Sequence, residues 1–596
     1  MRPPKRLQSV LRRWPLLSVC VGANLLEAVL VLAFAPKADL SLAPQASAIG
    51  PFGVFHDLRW LSVYSKSWWS APEIAAVLGL RALLLAACVR WAWPSAGAGG
   101  AGGVGRTGVA GGAGVAGGTG VVGGADEVPP RPSWLRLWGR GAVGSALLAV
   151  FLWPSVAVLF ASAVVPVSWL FIAAVPAAVF VSAIVQPVAV RNGWWRRAVP
   201  LRAVGWALLS FFVATLAGLA ASATASVPEV ALGVAALTGL FNAWAWDGTV
   251  RAVVKPARPE RLRPVVPIAL TALVLGVAGG ALAGFSQARN TAVQATRSQE
   301  SHAAVSQSGP PVVIVDGYGS SWTGVEDHPI PGAWSEVHFS YRGTDAQGRP
   351  LPYSGSDTVK PLQNMVRLLA SQVSGVALRD GQPVSLVAES EGAIVAEAYL
   401  HSTPQAPVST AVLLSPLLSS AGVSYPAGGT SGWGQAGEWG MAVLGQAFQS
   451  SAPIDLSPQN RFLRSIVADG ALVRRLNSCP VRAVRQVGLL SLADAVGVPP
   501  HLRPAFRTIV LPFFHGGMLQ RRSIDRMVDR ILDREPVHSD HVMSALASAV
   551  SWAASSWQVP DLPDSYFSGS VNGPAQSQCT QVDADLARLV WGASSR

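Results

Sequence analysis

The sequence predicts an N-terminal α-helical multi-pass membrane bundle joined to a C-terminal α/β unit with a mostly parallel, doubly wound sheet. Three observations carry this. Half of the 596 residues are hydrophobic and only 13% are charged, against roughly a quarter charged in soluble domains. In the first half the apolar residues gather in runs long enough to cross a bilayer, which takes about 20 residues. Beyond residue 310 they shorten to β-branched runs of the buried parallel-strand kind, separated by helical stretches.

About seven runs qualify as spans, near 16–35, 72–93, 141–163, 166–189, 202–224, 228–250 and 264–285. The first follows Arg2, Lys5, Arg6, Arg12 and Arg13 but lacks a small-residue cleavage site, so it reads as a retained span. Basic residues cluster at the N-terminus, at Arg131–Arg140, at Arg191–Arg202 and at Arg251–Arg263, whereas Ala221–Val230 and Val165–Ser168 carry almost none. By the positive-inside rule this places the N-terminus in the cytoplasm and, after seven crossings, the C-terminal half outside. Trp14, Trp68, Trp69, Trp91, Trp93, Trp194 and Trp195 flank spans, where amphipathic rings favour the interface.

The net charge of +12 is accounted for by these clusters, and no nucleic-acid-binding signature occurs. The four cysteines lack metal-ligand spacing, and neither metal nor cofactor is expected. The domain boundaries follow from composition. Residues 1–94 hold two spans and an extracytoplasmic loop. Residues 95–130 form a Gly-rich linker, in which 95–125 are almost wholly Gly, Ala, Val and Thr, too flexible to hold a helix and without a P-loop lysine. Residues 131–286 hold five further spans, 287–309 a polar tether, and 310–596 the α/β unit. Glu27 and Arg81 fall inside spans and are expected to form an interhelical pair, since a lone charge in hydrocarbon is costly. The sharper alternative is a proton or headgroup site. Asp247 reads as a cytoplasmic-interface residue.

In the α/β unit, strands are expected at Pro311–Val315, Val337–Tyr341, Pro383–Ala388, Val408–Leu414, Val484–Leu490 and Thr508–Leu511, with an amphipathic helix over 357–375. The third strand runs into Ala388-Glu389-Ser390-Glu391-Gly392 and then an alanine-rich helix. This is a G-x-S-x-G elbow with Ala in its first position. The chain turns so sharply from strand to helix that small residues are needed, and the serine is left exposed. An acid and then a histidine should follow. Asp494 closes the strand Val487–Leu490, and His515 lies in the loop after Thr508–Leu511. His538, His541 and Asp469 are weaker rivals, and Glu389 and Glu391 are left without a catalytic role.

On these motifs the segment 311–520 resembles the α/β-hydrolase superfamily, in its lipase and esterase branch. The resemblance implies an acyl-enzyme formed on Ser390, with His515 as base and Asp494 orienting it. It also implies an oxyanion hole made by the backbone amides of Tyr318 and Glu391. Asp316 stands where the family commonly has histidine, and Ala388 where it has glycine. The family places its substrate-covering cap where residues 417–478 lie, so Trp433, Trp439 and Phe448 would line an acyl site or simply pack the cap.

The expected function is therefore an extracytoplasmic ester hydrolase acting on lipid or cell-envelope esters, with membrane lipids as neighbours and no nucleic acid. An acyltransferase sharing the acyl-enzyme, and a catalytically inactive membrane receptor or assembly protein, are the alternatives. Cys479 and Cys579 alone fall in the exported half and are expected to form a disulfide.

Overall fold

The structure is a computed structural model. It describes residues 5–67, 70–94, 130–164, 200–254, 309–325, 330–419, 421–426, 430–448, 455, 457, 459–498, 502–513, 515–562 and 576–592. The expected spans at 166–189 and 264–285, the Gly-rich linker, most of the polar tether and Trp68, Trp69, Trp194 and Trp195 lie outside the described residues.

Among the described residues four helices are long and apolar enough to cross a membrane: Trp14–Phe34 within α1 (Lys5–Phe34), α3 (Ser70–Ala92), α4 (Trp134–Val164), and Arg202–Ala223 within α5 (Leu201–Ala223). The sixth expected span is also a helix, α6 (Pro228–Val254), but Glu229, Asn242, Asp247 and Arg251 make it less apolar than these four. Large apolar side chains remain exposed along the bundle, among them Leu30, Phe34, Val150, Phe151, Phe212 and Leu216. Buried Asn24 satisfies its amide on the carbonyls of Pro44 and Ala235, tying α1 to its neighbours.

The loop after α1 was expected only as a connection. It folds into two 3-10 turns and a buried helix, α2 (Pro51–Tyr64). This corrects the expected Glu27–Arg81 pair. Glu27 Oε1 lies 2.5 Å from His56 Nε2 and accepts from Trp60 Nε1 at 2.9 Å, whereas Arg81 donates to Asp57 at 2.7 Å. Helix α2 inserts a counter-group for each charge, so Glu27 and Arg81 are each paired with α2 rather than with one another. Asp247 pairs with Arg251 one turn on.

The C-terminal unit holds a six-stranded, wholly parallel sheet in the order β2-β1-β3-β4-β5-β6. The strands are β1 (Pro311–Val315), β2 (Ser335–His338), β3 (Val384–Glu389), β4 (Val408–Leu414), β5 (Arg485–Ser491) and β6 (Arg507–Leu511). Alternate residues serve opposite faces. Val313, Val315, Leu386, Ala388, Ala411 and Leu413 join one core, under α7 (Leu362–Asp380), α8 (Glu391–Ser402) and the C-terminal α14 (Gln576–Trp591). Val312, Ile314, Val387, Val412, Leu489 and Ile509 join the other, under α12 (Arg522–Leu532). Burial on both faces explains why the strands read as continuous apolar runs. From β1 the chain steps out to β2 and returns to β3 on β1's other side, so the topological switch point lies between β1 and β3.

The segment between β4 and β5, where a cap is expected, contains α9 (Gln435–Phe448), α10 (Arg461–Ala468) and α11 (Gly470–Leu476). Helix α9 packs on α4 so closely that a Cβ at Gly440 would stand 2.6 Å from Ala157 Cβ and one at Gly437 2.6 Å from the Phe160 ring. Trp433 meets Tyr64 edge-on, with the Lys66 ammonium 3.8 Å over its ring. Of the two roles expected for Trp433, these contacts are those of packing, since the ring seats against the bundle. Trp439 is half-buried on α9, and the Phe448 side chain lies outside the described residues.

One end of the bundle meets the α/β unit throughout. Ala163 and Val164, closing α4, accept from Gly422 and Ala421; Gln45 donates to the Ser556 carbonyl; Tyr64 donates to that of Asp561. At the opposite end Arg90 donates to the Pro132 carbonyl and stacks over Trp134, and Arg131 stacks over Trp91.

Candidate active site

Ser390 sits between β3 and α8 at φ 55°, ψ −111°, a left-handed backbone that an L-residue adopts only when its surroundings hold it. The hold is visible. The Ser390 amide donates to the Leu414 carbonyl at 2.9 Å, and its own carbonyl accepts from Ala393 at 3.1 Å to start α8. Gly392 is required because a Cβ there would collide with the carbonyl oxygens of Val315 and Asp316 at the end of β1. Ala388 is completely buried within β3 and fits without a glycine.

His515 reaches the serine from the loop after β6, its Nε2 2.8 Å from Ser390 Oγ. On the other side of the ring, Nδ1 lies 2.9 Å from Asp494 Oδ1. Asp494 is buried in the 3-10 turn Leu492–Gly497 after β5, where its amide donates to Ser491 Oγ at 3.1 Å. The structure thus brings Ser390, His515 and Asp494 into one hydrogen-bonded line beside the switch point. The rivals lie elsewhere: His538 and His541 are exposed, and Asp469 sits between α10 and α11.

Burial opposes the charged imidazole of His515. The facing Asp494 carboxylate, aided by Glu389, outweighs it and raises the pKa above the ordinary histidine value. Asp494 therefore fixes the Nδ1-protonated tautomer, leaving Nε2 as acceptor toward the serine hydroxyl.

Glu389, left without a role by the sequence, has a positioning contact. Its Oε1 accepts from the Met518 amide at 2.7 Å, tying the elbow to the chain just after His515. Between them Gly516 and Gly517 adopt φ of 82° and 67°, which side-chain-bearing residues rarely adopt. Neither contact is readable from spacing.

The expected oxyanion donors flank the serine. The chain at Gly317 passes so near that a Cβ there would stand 3.2 Å from Ser390 Cβ, and Tyr318 follows it. The Tyr318 ring stacks on Phe462, and its hydroxyl donates to the Asp455 carbonyl at 2.9 Å. Glu391 opens α8, where the first N–H groups have no intrahelical acceptor. Its side chain is fully buried, neither carboxyl oxygen has a hydrogen-bond partner among the described residues, and burial pushes its pKa well above the carboxylate range. Asp316, in place of the family's histidine, is turned aside and accepts from the Tyr353 hydroxyl at 2.7 Å.

Cys479 and Cys579 form a disulfide with α-carbons 5.4 Å apart, fastening α14 to the region ahead of β5. Nearby, Nδ1 of buried His401 lies 2.7 Å from Asp583 Oδ1 and secures the same helix against α8. Cys20 and Cys88 are free thiols with sulfurs 3.8 Å apart. Among the described residues no cluster of three metal-ligating side chains occurs. Comparisons with protein-family models, with curated proteins and with solved structures give no match to this chain.

Proposed function

We propose that this chain is a membrane-anchored serine hydrolase of the α/β-hydrolase type that cleaves carboxylic esters through an acyl-enzyme on Ser390. The observation that carries this is the Ser390–His515–Asp494 hydrogen-bonded line, built on a left-handed serine at the switch point of a parallel sheet. In the proposed reaction His515 Nε2 takes the Ser390 proton as Oγ attacks the ester carbonyl carbon. Asp494 stabilises the imidazolium, and the Tyr318 and Glu391 amides hold the oxyanion, each worth roughly 3–4 kcal/mol when well placed. The imidazolium then protonates the departing alkoxide. Water, deprotonated by the same histidine, attacks the acyl-enzyme to release the acid and regenerate the serine.

On this reading the α/β unit works outside the cytoplasm. The helix ends touching it carry few positive charges, whereas Arg90, Arg131, Arg136, Arg140 and Arg251 lie toward the other end. What supports this side is that the loop after α1, the C-terminal end of α4 and Thr215 of α5 all contact the α/β unit. The test is hydrolysis of a short-chain nitrophenyl ester by the purified full chain in detergent. Turnover lost on Ser390→Ala supports the reading, and turnover unchanged by that substitution refutes it.

A further inference from the structure

Helix α13 (His541–Ser555) lies against the acid end of the site. Its buried face, including Ala547, packs on Leu490, Ala495 and Val510, and Ser551 Oγ donates to the Val498 carbonyl beyond the turn that carries Asp494. Its other face is unusual for a helix of a water-facing domain. The 15 residues contain no Asp, Glu, Lys or Arg. Val542, Ala545, Leu546, Ala549, Trp552 and Ala553 recur at the three- and four-residue spacing of one helical stripe and are all exposed, Val542 by 68%, Leu546 by 42% and Trp552 by 41%. His541, Ser544, Ser548 and Ser555 form a separate polar stripe. A helix face bounded by water normally carries charges, so this one calls for an apolar neighbour.

The neighbour is indicated by where α13 ends. Ser556 Oγ donates to the Thr215 carbonyl at 2.9 Å, Trp557 Nε1 donates to Thr215 Oγ1 at 2.8 Å, and the Trp557 ring stacks on Phe211 at 5.0 Å. All three contacts are on α5, one of the four apolar helices. Thr215 stands about 12 Å along the axis from the Ala223 end that faces the α/β unit. A 23-residue helix is about 34 Å long and overhangs a hydrocarbon core of roughly 30 Å by little. The last turn of α13 is therefore anchored at a level where α5 exposes Phe212 by 59% and Leu216 by 64%.

We infer that α13 is an interfacial membrane helix. Its Val542–Leu546–Trp552 face lies in the lipid headgroup and acyl boundary, continuous with the lipid-facing side of α5. This surface goes beyond the proposed activity, and it would hold the Asp494 turn against the outer leaflet whatever Ser390 does. The chemistry suits such a layer, since Trp552 prefers the boundary and the Ser and His stripe remains wet.

The experiment uses the full chain in lipid nanodiscs with a nitroxide attached to Leu546→Cys, Ala549→Cys, Ala553→Cys or, as control, Ser548→Cys. Collision rates with oxygen and with a water-soluble nickel complex are compared. The inference expects oxygen to dominate at 546, 549 and 553, at least threefold over its ratio at 548, and nickel to dominate at 548. Nickel access at all four positions would place the face in water and overturn it. Exclusion of both reagents at 546 and 549 would mean that protein, either another segment of this chain or a second copy, covers the stripe, and would overturn it equally. Because the readout is spectroscopic, failure here leaves the Ser390 reading standing, and the reverse also holds.

Discussion

Asp494 Oδ1 lies 2.9 Å from Nδ1 of His515, on the side of the ring facing away from Ser390. This pairing raises the His515 pKa above its ordinary value against the opposing effect of burial. In the proposed reaction His515 acts as a base only when neutral, so activity should fall on the acid side through an apparent pKa above that of free histidine. Asp494→Asn should move this limb to lower pH, because the raising charge is gone. It should also cut the maximal rate by about 10³–10⁴-fold through loss of the tautomer preference. Profiles of kcat/KM against pH for both proteins check this, and an acid limb unmoved in the variant would contradict it.

Glu391 gives a stability prediction of opposite sense. Its carboxyl is buried without a hydrogen-bond partner among the described residues and its pKa is raised in the folded state, so the folded protein keeps this proton where the unfolded chain has lost it. Stability then falls as pH rises from the ordinary carboxylate range toward the folded-state pKa. Glu397, raised by burial to about 7, acts in the same direction. Glu391→Gln removes the charge, so its Tm relative to wild type should be higher at pH 8 than at pH 5. A Tm difference independent of pH would show that Glu391 does not titrate differently on folding.

Gly392→Ala tests the elbow. The added methyl would meet the backbone carbonyls of Val315 and Asp316, which cannot rotate away as a flexible side chain would. The variant should lose ester turnover and also folded yield, by a few kcal/mol typical of overpacking. Wild-type thermal stability in Gly392→Ala would mean that α8 does not approach β1 as closely as described.

The Cys479–Cys579 bridge spans 100 residues. In the chain-entropy model a loop of this length stabilises the domain by up to about 4.7 kcal/mol. Cys579→Ser should therefore lower Tm and release α14 from α8 first, read as faster amide exchange in 576–592. Quantitative alkylation of both thiols in the unreduced protein purified from membranes would refute the bridge.

Regular elements were legible where one local rule decides them. Ala411–Leu414 within β4 runs apolar without a break because both faces of the strand are covered, and the same pattern places β1, β3, β5 and β6 within a residue or two. Both bounds of β2 escape the pattern: Val337–Tyr341 is expected and Ser335–His338 is found, because this edge strand is only half-buried and carries no continuous apolar run. Ser390, Asp494 and His515 were nameable because chain order and strand ends constrain them.

Helix α2 was not legible. It carries Asp57, Arg59 and His56 in its interior, a composition that reads as a polar loop until α1, α3 and residues 556–558 supply partners. The seat of α9 on α4 was equally hidden. Gly437 and Gly440 signal flexibility in sequence, whereas in space they make room for Phe160 and Ala157. Glu389 was passed over because its acceptor role depends on the Met518 amide, 129 residues away.

The central claim is that Ser390 is a nucleophile activated by His515. Its most direct measurement is intact-protein and peptide mass spectrometry of the full chain after exposure to a fluorophosphonate, with the rate of adduct formation compared across wild type, Ser390→Ala and His515→Ala. The account predicts one adduct, located on Ser390, abolished in Ser390→Ala and slowed at least about 10³-fold in His515→Ala. An adduct on another residue, or no adduct on a folded wild-type protein with Ser390 as placed here, would contradict it.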